Sequence, residues 1–279
     1  MSRIAFQGEL GANGHEACAT YYPSYEAVPC ATFEEAFEAV KSGDCQLGMI
    51  AIENSTAGRV ADVHHLLPKS GLKIIGEVFK PIRFQLMANP GTKIEDVKTV
   101  ASMSIALAQC RKVLKALGVK TESVGDTAGA AKALSEHPDP TRASISPALA
   151  AEIYGLTILK RDIEDEASNT TRFLIMTADR DPPRPAPDVK CVTSFVFRVR
   201  NLPAALYKAM GGFATNGVNM TKLESYMENA AFTATFFYAE VDGRPEDEGL
   251  ARAFEELEFF SDHFEVLGTY PADAYRERG

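Results

Sequence analysis

The residues best suited to chemistry sit in one short run, SNTTRF (168–173), which leads into the apolar stretch Phe173–Met176. Polar and cationic groups are costly to carry into a core unless a partner there requires them. Arg172 has the planar fork that grips a carboxylate bidentately, and a threonine hydroxyl both donates and accepts. Asn169, Thr170, Thr171 and Arg172 together suit a small carboxylate substrate with an oxygen that needs a proton as it departs.

A second stretch, AIENSTAGRV (51–60), follows a run that reads as a buried strand. Glu53, Asn54 and Ser55 fall at its C-terminal end, where ligands bind in α/β sheets. Asn54, Ser55 or Thr56 would equally serve as a helix cap. SMSIALAQC (102–110) sets Ser102 and Ser104 at a helix start, and DTAGAAKAL (126–134) offers Asp126 or Thr127 as a cap. The loop GELGANG (8–14) is spaced G-x-x-G-x-x-G, a weak dinucleotide signal. It reads as positive-φ turns, with backbone free to approach an anion at a helix start. His64 and His65 diverge by about 100° around a helix and cannot ligate one ion together. Zinc and redox motifs are absent.

At 279 residues two domains are expected. A hydrophobic content of 46%, a charged content of 24% and a net charge of −9 without long like-charge runs fit a soluble globular protein. They argue against nucleic acid or an anionic membrane as partner. The five cysteines (Cys18, Cys30, Cys45, Cys110, Cys191) are scattered and form no C-x-x-C pair, which predicts reduced thiols and a cytoplasmic protein. No apolar stretch approaches the roughly 18 residues of a membrane span.

These candidates need elements to hold them. Strands are predicted at 3–6, 46–52, 73–79, 83–88, 98–102, 119–124, 143–146, 156–160 and 172–176. Helices are predicted at 14–21, 32–41 with a Thr32–Glu35 capping box, 58–67, 104–117, 127–136 and 147–153. Alternation of this kind predicts α/β architecture with largely parallel sheets, in two lobes about a cleft. The four prolines of DRDPPRPAPDVK (179–190) make an extended connector. Beyond it come a strand (192–199), a helix (203–217), a hairpin of 219–227 and 231–241 around Glu228-Asn229, a helix (248–260) and a strand (263–270). That βαββαβ order is the ferredoxin-like unit.

The blocks IENSTAGRV, ALAQC, DTAGAAK, AAEIYGLTIL and NTTRF, in this order, resemble the prephenate dehydratase family. PAALYKAMGGFATNGVNMTKLES resembles that family's regulatory ACT domain. The resemblance implies a catalytic domain over 1–178, similar to two-lobed periplasmic binding proteins, with lobe one at 1–78 plus 165–178 and lobe two at 79–164. It implies an ACT domain over 191–272. The activity implied is decarboxylative dehydration of prephenate to phenylpyruvate without a cofactor. Thr171 would be the catalytic residue. Glu53, Asn54, Ser55, Ser102, Asn169, Thr170, Arg172 and Phe173 would bind substrate. L-Phenylalanine would act as allosteric effector at Ala204, Ala205, Leu206, Asn219, Met220, Glu224 and Ser225, with a homodimer or homotetramer formed through the ACT domains.

The chain departs from the family pattern in four places. Ala12 and Gly14 stand where a threonine and a serine are usual, and Ser102-Met103-Ser104-Ile105 stands for Ser-His-Pro-Gln. In the regulatory part, Glu224-Ser225-Tyr226-Met227 stands for Glu-Ser-Arg-Pro, and Ala204-Ala205-Leu206 for Gly-Ala-Leu. Arogenate dehydratase is the nearest alternative, since its substrate carries an amino group in place of the keto group. An amino-acid-sensing protein without catalysis is the alternative from another class.

Overall fold

Strands and helices alternate through the first part of the chain in the computed structural model, which describes residues 2–200, 202–227 and 234–278. In chain order these are β1 (Arg3–Gln7), α1 (Asn13–Tyr21), β2 (Glu26–Cys30), α2 (Phe33–Lys41), β3 (Leu47–Asn54), β4 (Gly58–Arg59) and α3 (Ala61–Leu66). Next come β5 (Lys73–Pro81), β6 (Gln85–Ala88), β7 (Thr99–Met103), α4 (Ser104–Gln109), α5 (Arg111–Leu117) and β8 (Lys120–Val124). The series closes with α6 (Thr127–Glu136), β9 (Arg142–Ser146), α7 (Ala148–Tyr154), β10 (Thr157–Lys160) and β11 (Thr170–Thr177). The chain divides into two units, Met1–Val60 with Phe79–Phe173 and Ala61–Val78 with Leu174–Gly279, so the division cuts through β5 and β11.

The first unit is built on two sheets. One has the order β2-β1-β3-β11-β5, with β1 parallel to β2 and β3, and β4 paired antiparallel to the end of β3. The other has the order β10-β6-β9-β7-β8. Its β7 runs parallel to β8 and β9, whereas β6 runs antiparallel to β9 and β10. The α/β class is as expected, with mixed rather than largely parallel pairing in this second sheet. Ile4, Ala5 and Phe6 of β1 and Met49, Ile50 and Ile52 of β3 are fully buried, which fixes these two strands in the core. The helix α2 opens as its capping residues demand. Glu35 N donates to Thr32 Oγ1 at 3.2 Å, and Glu35 Oε2 accepts from Ala31 N at 2.8 Å.

Three elements differ from expectation, each for a local reason. The helix expected at 58–67 begins only at Ala61, because Asn54 Oδ1 accepts from the N–H groups of Thr56 and Ala57 and turns the chain back. Gly58, at φ +82°, then starts β4. The helix expected at 104–117 is broken at Cys110 into α4 and α5. The unforeseen β2 carries Pro29, tolerated because β2 is an edge strand.

The second unit contains β12 (Cys191–Val199), α8 (Ala205–Thr215), β13 (Met220–Met227), β14 (Ala234–Asp242), α9 (Glu248–Phe260) and β15 (Ser261–Pro271). Its antiparallel sheet, in the order β13-β14-β12-β15, is the expected ferredoxin-like arrangement. The hairpin turn expected at Glu228-Asn229 lies outside the described residues. Phe195 of β12, Phe213 of α8 and Phe254 of α9 cluster with centroids 5.1–6.1 Å apart, Phe195 stacked on Phe213 and both meeting Phe254 edge to face. Ala61–Val78 belongs to this unit. Buried His64 meets the Tyr226 hydroxyl through Nδ1 at 2.8 Å, so it is a packed core histidine. Arg276 ties buried Glu77 (2.6 and 2.9 Å) to buried Glu240 (2.8 Å). No helix among the described residues is long and apolar enough to cross a membrane.

Candidate functional site

Because β3 and β11 are neighbours in the first sheet, residues 53–56 and 168–172 meet although more than a hundred positions separate them. The join is made by Ser55. Its N–H donates to Thr170 O (2.9 Å), and its Oγ accepts from Thr170 N (3.0 Å) and donates to Ser168 O (3.2 Å). Thr170 is buried, with its own hydroxyl donated to Ser168 O at 3.2 Å.

Successive side chains on a strand point to opposite faces. Asn54 and Thr171 share one face; Glu53 and Arg172 share the other. On the first, Asn54 Nδ2 donates to Thr171 Oγ1 at 2.9 Å and to Asn169 Oδ1 at 2.8 Å. Asn54 Oδ1 is held by the N–H groups of Thr56 (3.0 Å) and Ala57 (2.8 Å), so its amide has only one workable orientation. Thr171 Oγ1 therefore serves as an acceptor to Asn54, and its proton is directed away from that bond. Thr171 is half-buried, with access to solvent that Thr170 lacks.

On the opposite face Arg172 Nη1 pairs with Glu53 at 2.9 Å, and the guanidinium lies 5.7 Å from the Phe79 ring centroid. Arg172 and the Thr171 hydroxyl, expected to grip one substrate together, therefore lie on opposite faces of the strand. The guanidinium is buried, its charge is met by Glu53, and it faces away from Thr171. Phe173 is likewise a core residue, 3% exposed.

Ser102 is also placed differently from expectation. It is fully buried and donates to Ile145 O at 2.7 Å, a tie between β7 and β9, and no bond joins it to the cluster around Thr171 among the described residues. The cap position of α4 is Met103, so neither Ser102 nor Ser104 caps that helix. Asp126 does cap α6, accepting from Gly129 N at 2.6 Å, and burial raises its carboxyl above the usual range.

Two contributors lie outside the residues that the sequence marks for the site, Thr56 being read there only as a cap. Gln109, at the end of α4, accepts from Asn169 Nδ2 at 3.0 Å and donates to Thr56. Thr56 also donates to Asn54 Oδ1 at 2.8 Å. The block ALAQC and the threonine of ENST were the available signals. With Ile105, Arg111 and Asn169 they line a cleft of about 510 Å³. Ile105, which departs from the family pattern, is 48% exposed there. Cys110, at the α4–α5 break, is pushed up to about 12, first by burial and then by Asp165 and Glu164, which removes it as a thiolate nucleophile.

The glycine loop packs as its spacing suggests. Gly11 has φ +90°, and a Cβ there would sit 2.7 Å from Ala150 Cα. The Gly11 N–H donates to His15 Nδ1 at 2.9 Å. Ala12 is buried with Met87 and Ala150, and a Cβ at Gly14 would meet Phe6 at 3.0 Å.

In the second unit the expected effector residues fall at the start of α8 and along β13. Ala204, at φ +60°, precedes α8, Ala205 is buried, and Leu206 and Met220 pack against one core. Asn219 donates to Asp242 Oδ2 at 2.7 Å, Glu224 lies 3.8 Å from Lys222, and Ser225 is exposed.

Residues 4–181 match the family model described as prephenate dehydratase. The chain is 46% identical to the bifunctional N-acyl-homoserine lactone acylase/prephenate dehydratase of Komagataeibacter europaeus, over 99% of this chain and 98% of that one. It is 39% identical to the chloroplastic arogenate dehydratase/prephenate dehydratase 2 of Arabidopsis thaliana, over 97% of this chain and 73% of that one. Among solved structures, the prephenate dehydratase of Arthrobacter aurescens in complex with L-Phe superposes with a TM-score of 0.88 at 29% identity, covering 97% of this chain and 90% of that one.

Proposed function

Because the chain belongs to the prephenate dehydratase family, we propose that it converts prephenate to phenylpyruvate with loss of water and carbon dioxide, as a step of phenylalanine synthesis. The single observation that supports this best is the Asn54–Thr171 bond of 2.9 Å, in which Thr171 accepts and so keeps its proton for a ligand. In the reaction the ring C–O bond breaks as hydroxide departs, and the ring carboxylate leaves as carbon dioxide while its electron pair completes the aromatic ring. Aromatisation supplies the driving force, so the protein needs to hold the substrate and stabilise the departing oxygen. A threonine hydroxyl is too weak an acid to transfer a full proton early. Its contribution is a hydrogen bond that strengthens as the C–O bond breaks.

The catalytic part is residues 1–178 and the regulatory part 191–272. The latter is proposed to be an ACT domain that binds L-phenylalanine near Ala204–Leu206 and Asn219–Ser225, pairs with a second copy, and inhibits turnover. The Arthrobacter protein's complex with L-Phe supports this reading. Arogenate is the second substrate to consider, since the Arabidopsis relative is named for both activities. We propose a cytoplasmic location, in keeping with five free and buried cysteines.

The test is purified protein with prephenate, following phenylpyruvate, and with arogenate in parallel, each with and without phenylalanine. Turnover of prephenate suppressed by phenylalanine is expected. Turnover of neither substrate would overturn the reading, and an unchanged rate and melting temperature with phenylalanine would remove the regulatory half.

A further inference from the structure

Four side chains around Thr171 close a ring of hydrogen bonds in which every donor points the same way. Asn54 Nδ2 donates to Asn169 Oδ1 (2.8 Å), Asn169 Nδ2 to Gln109 Oε1 (3.0 Å), Gln109 Nε2 to Thr56 Oγ1, and Thr56 Oγ1 to Asn54 Oδ1 (2.8 Å). Flipping any one amide would set donor against donor or acceptor against acceptor at the amide beside it. Reversing all of them together would aim Asn54 Nδ2 at the Thr56 and Ala57 N–H groups, which now point at Asn54 Oδ1. The backbone of the 54–57 turn therefore sets the direction of the whole ring.

Thr56 is the only member with a hydroxyl, able to accept from one amide and donate to the next. It is exposed, whereas Asn169 is buried, so the ring is completed at the edge of the cleft. Asn54 has one further N–H, which reaches Thr171 Oγ1 at 2.9 Å with the Thr170 carbonyl a longer second acceptor at 3.2 Å. Chains of hydrogen bonds that run one way polarise one another, which strengthens each donor along them. A closed ring thus holds the Asn54 amide still and makes it a better donor to Thr171. A better donor there makes the Thr171 proton a better hydrogen bond for a departing oxygen.

We propose that Thr56 is a positioning residue of the reaction: its hydroxyl closes the ring and so fixes the Asn54 amide in the orientation that leaves the Thr171 proton for the substrate. This rests on the dehydratase reading given above. Thr56 itself touches neither the reacting bond nor Thr171 through any bond among the described residues.

The test compares wild type, Thr56→Val and Thr56→Ser on prephenate, with melting temperature measured for each. Thr56→Val keeps the branched shape and the backbone N–H to Asn54 but opens the ring. It is expected to lower kcat about 10- to 100-fold, the scale of a small misplacement at a reacting centre, while KM moves less than about threefold. Its melting temperature is expected to hold within a few degrees, because the residue is exposed and the turn keeps its backbone bonds. Thr56→Ser restores the donor and acceptor and is expected to return within about threefold of the wild-type rate. Combining Thr56→Val with Gln109→Leu is expected to lose little more than the worse single variant, since each opens the same ring. A wild-type kcat in Thr56→Val, or a loss that serine fails to restore, would overturn the proposal. Absence of turnover in the wild type would instead overturn the dehydratase reading, and with it the ring's role in catalysis.

Discussion

The two faces of the β3–β11 pair are made from adjacent residues and behave as opposites. One face carries amides and hydroxyls without formal charge, with Asn54 distributing hydrogen bonds to Asn169 and Thr171. The other carries a full ion pair, Arg172 with Glu53, closed by the Phe79 ring. A charge inside a core needs an opposite charge and hydrogen bonds in place of water. The ionic face meets that requirement internally and leaves little for a ligand. The neutral face spends its donors in one direction and ends in a hydroxyl proton that meets no acceptor among the described residues, on a half-buried side chain. Adjacency in NTTR therefore does not put these side chains on one surface; the twofold period of the strand splits them into a neutral face and an ionic face.

The strongest way to break this comparison is to remove the two threonine hydroxyls separately. Thr171→Ala is expected to lower kcat by about 10²–10³, as when one donor to a developing charge is removed, with the fold intact. Thr170→Val removes a hydroxyl donated to Ser168 O on the buried side, and its effect on kcat is expected to stay below about tenfold. Steady-state kinetics on both variants decides it. Equal losses would mean that both faces serve the reaction, and near-normal turnover in Thr171→Ala would remove the catalytic assignment.

Arg172→Met tests the ionic face. It leaves Glu53 without its guanidinium partner, and the expected cost is about 1–3 kcal/mol, below that of a fully buried pair because Glu53 keeps contact with water. Denaturant titration should show that loss, and adding Glu53→Gln should recover part of it. The fall in kcat is expected to be smaller than for Thr171→Ala. An Arg172→Lys variant with full stability but a KM raised more than tenfold would place the cation on the substrate and overturn the division between faces.

Much of this was legible beforehand. The polar entry to β11, the strand end at Glu53–Ser55 and the ferredoxin-like order all follow from local pattern. The assignment of faces did not, because it depends on which residue of a continuous polar run begins the strand. Gln109 was hidden for a different reason: it lies in the regular helical sequence ALAQC, and its importance arises only when α4 is brought against the 54–57 turn. The same turn misled the reading of 58–67, where helical pattern is real but Asn54 captures the N–H groups that a helix start would use. Ser102 reads in the sequence as a ligand or a cap; Met103 holds the cap position, and the Ser102 hydroxyl is donated to Ile145 O. Hydroxyl chemistry alone does not separate those three roles.

The smallest expected effect extends the preference for neutral groups to the glycine loop. His15 stacks on Phe6 at 5.5 Å, with planes 7° apart, and accepts the Gly11 N–H through Nδ1. That bond needs an unprotonated Nδ1, and burial lowers the imidazole's affinity for a proton below its ordinary value of 6.5, with Glu16 opposing. As pH falls below 6.5 the unfolded chain takes up the proton before the folded one. The contribution to stability is therefore complete above 6.5 and is lost as pH drops through the lowered folded value. One hydrogen bond on a half-buried group limits the effect to about 1 kcal/mol or less. His15→Phe keeps the stack but neither accepts from Gly11 nor titrates. Its melting temperature should be lower than wild type at pH 8 and should converge with it on acidification. A wild-type melting curve that falls no faster than the variant's below pH 6.5 would show that His15 holds the loop through packing alone.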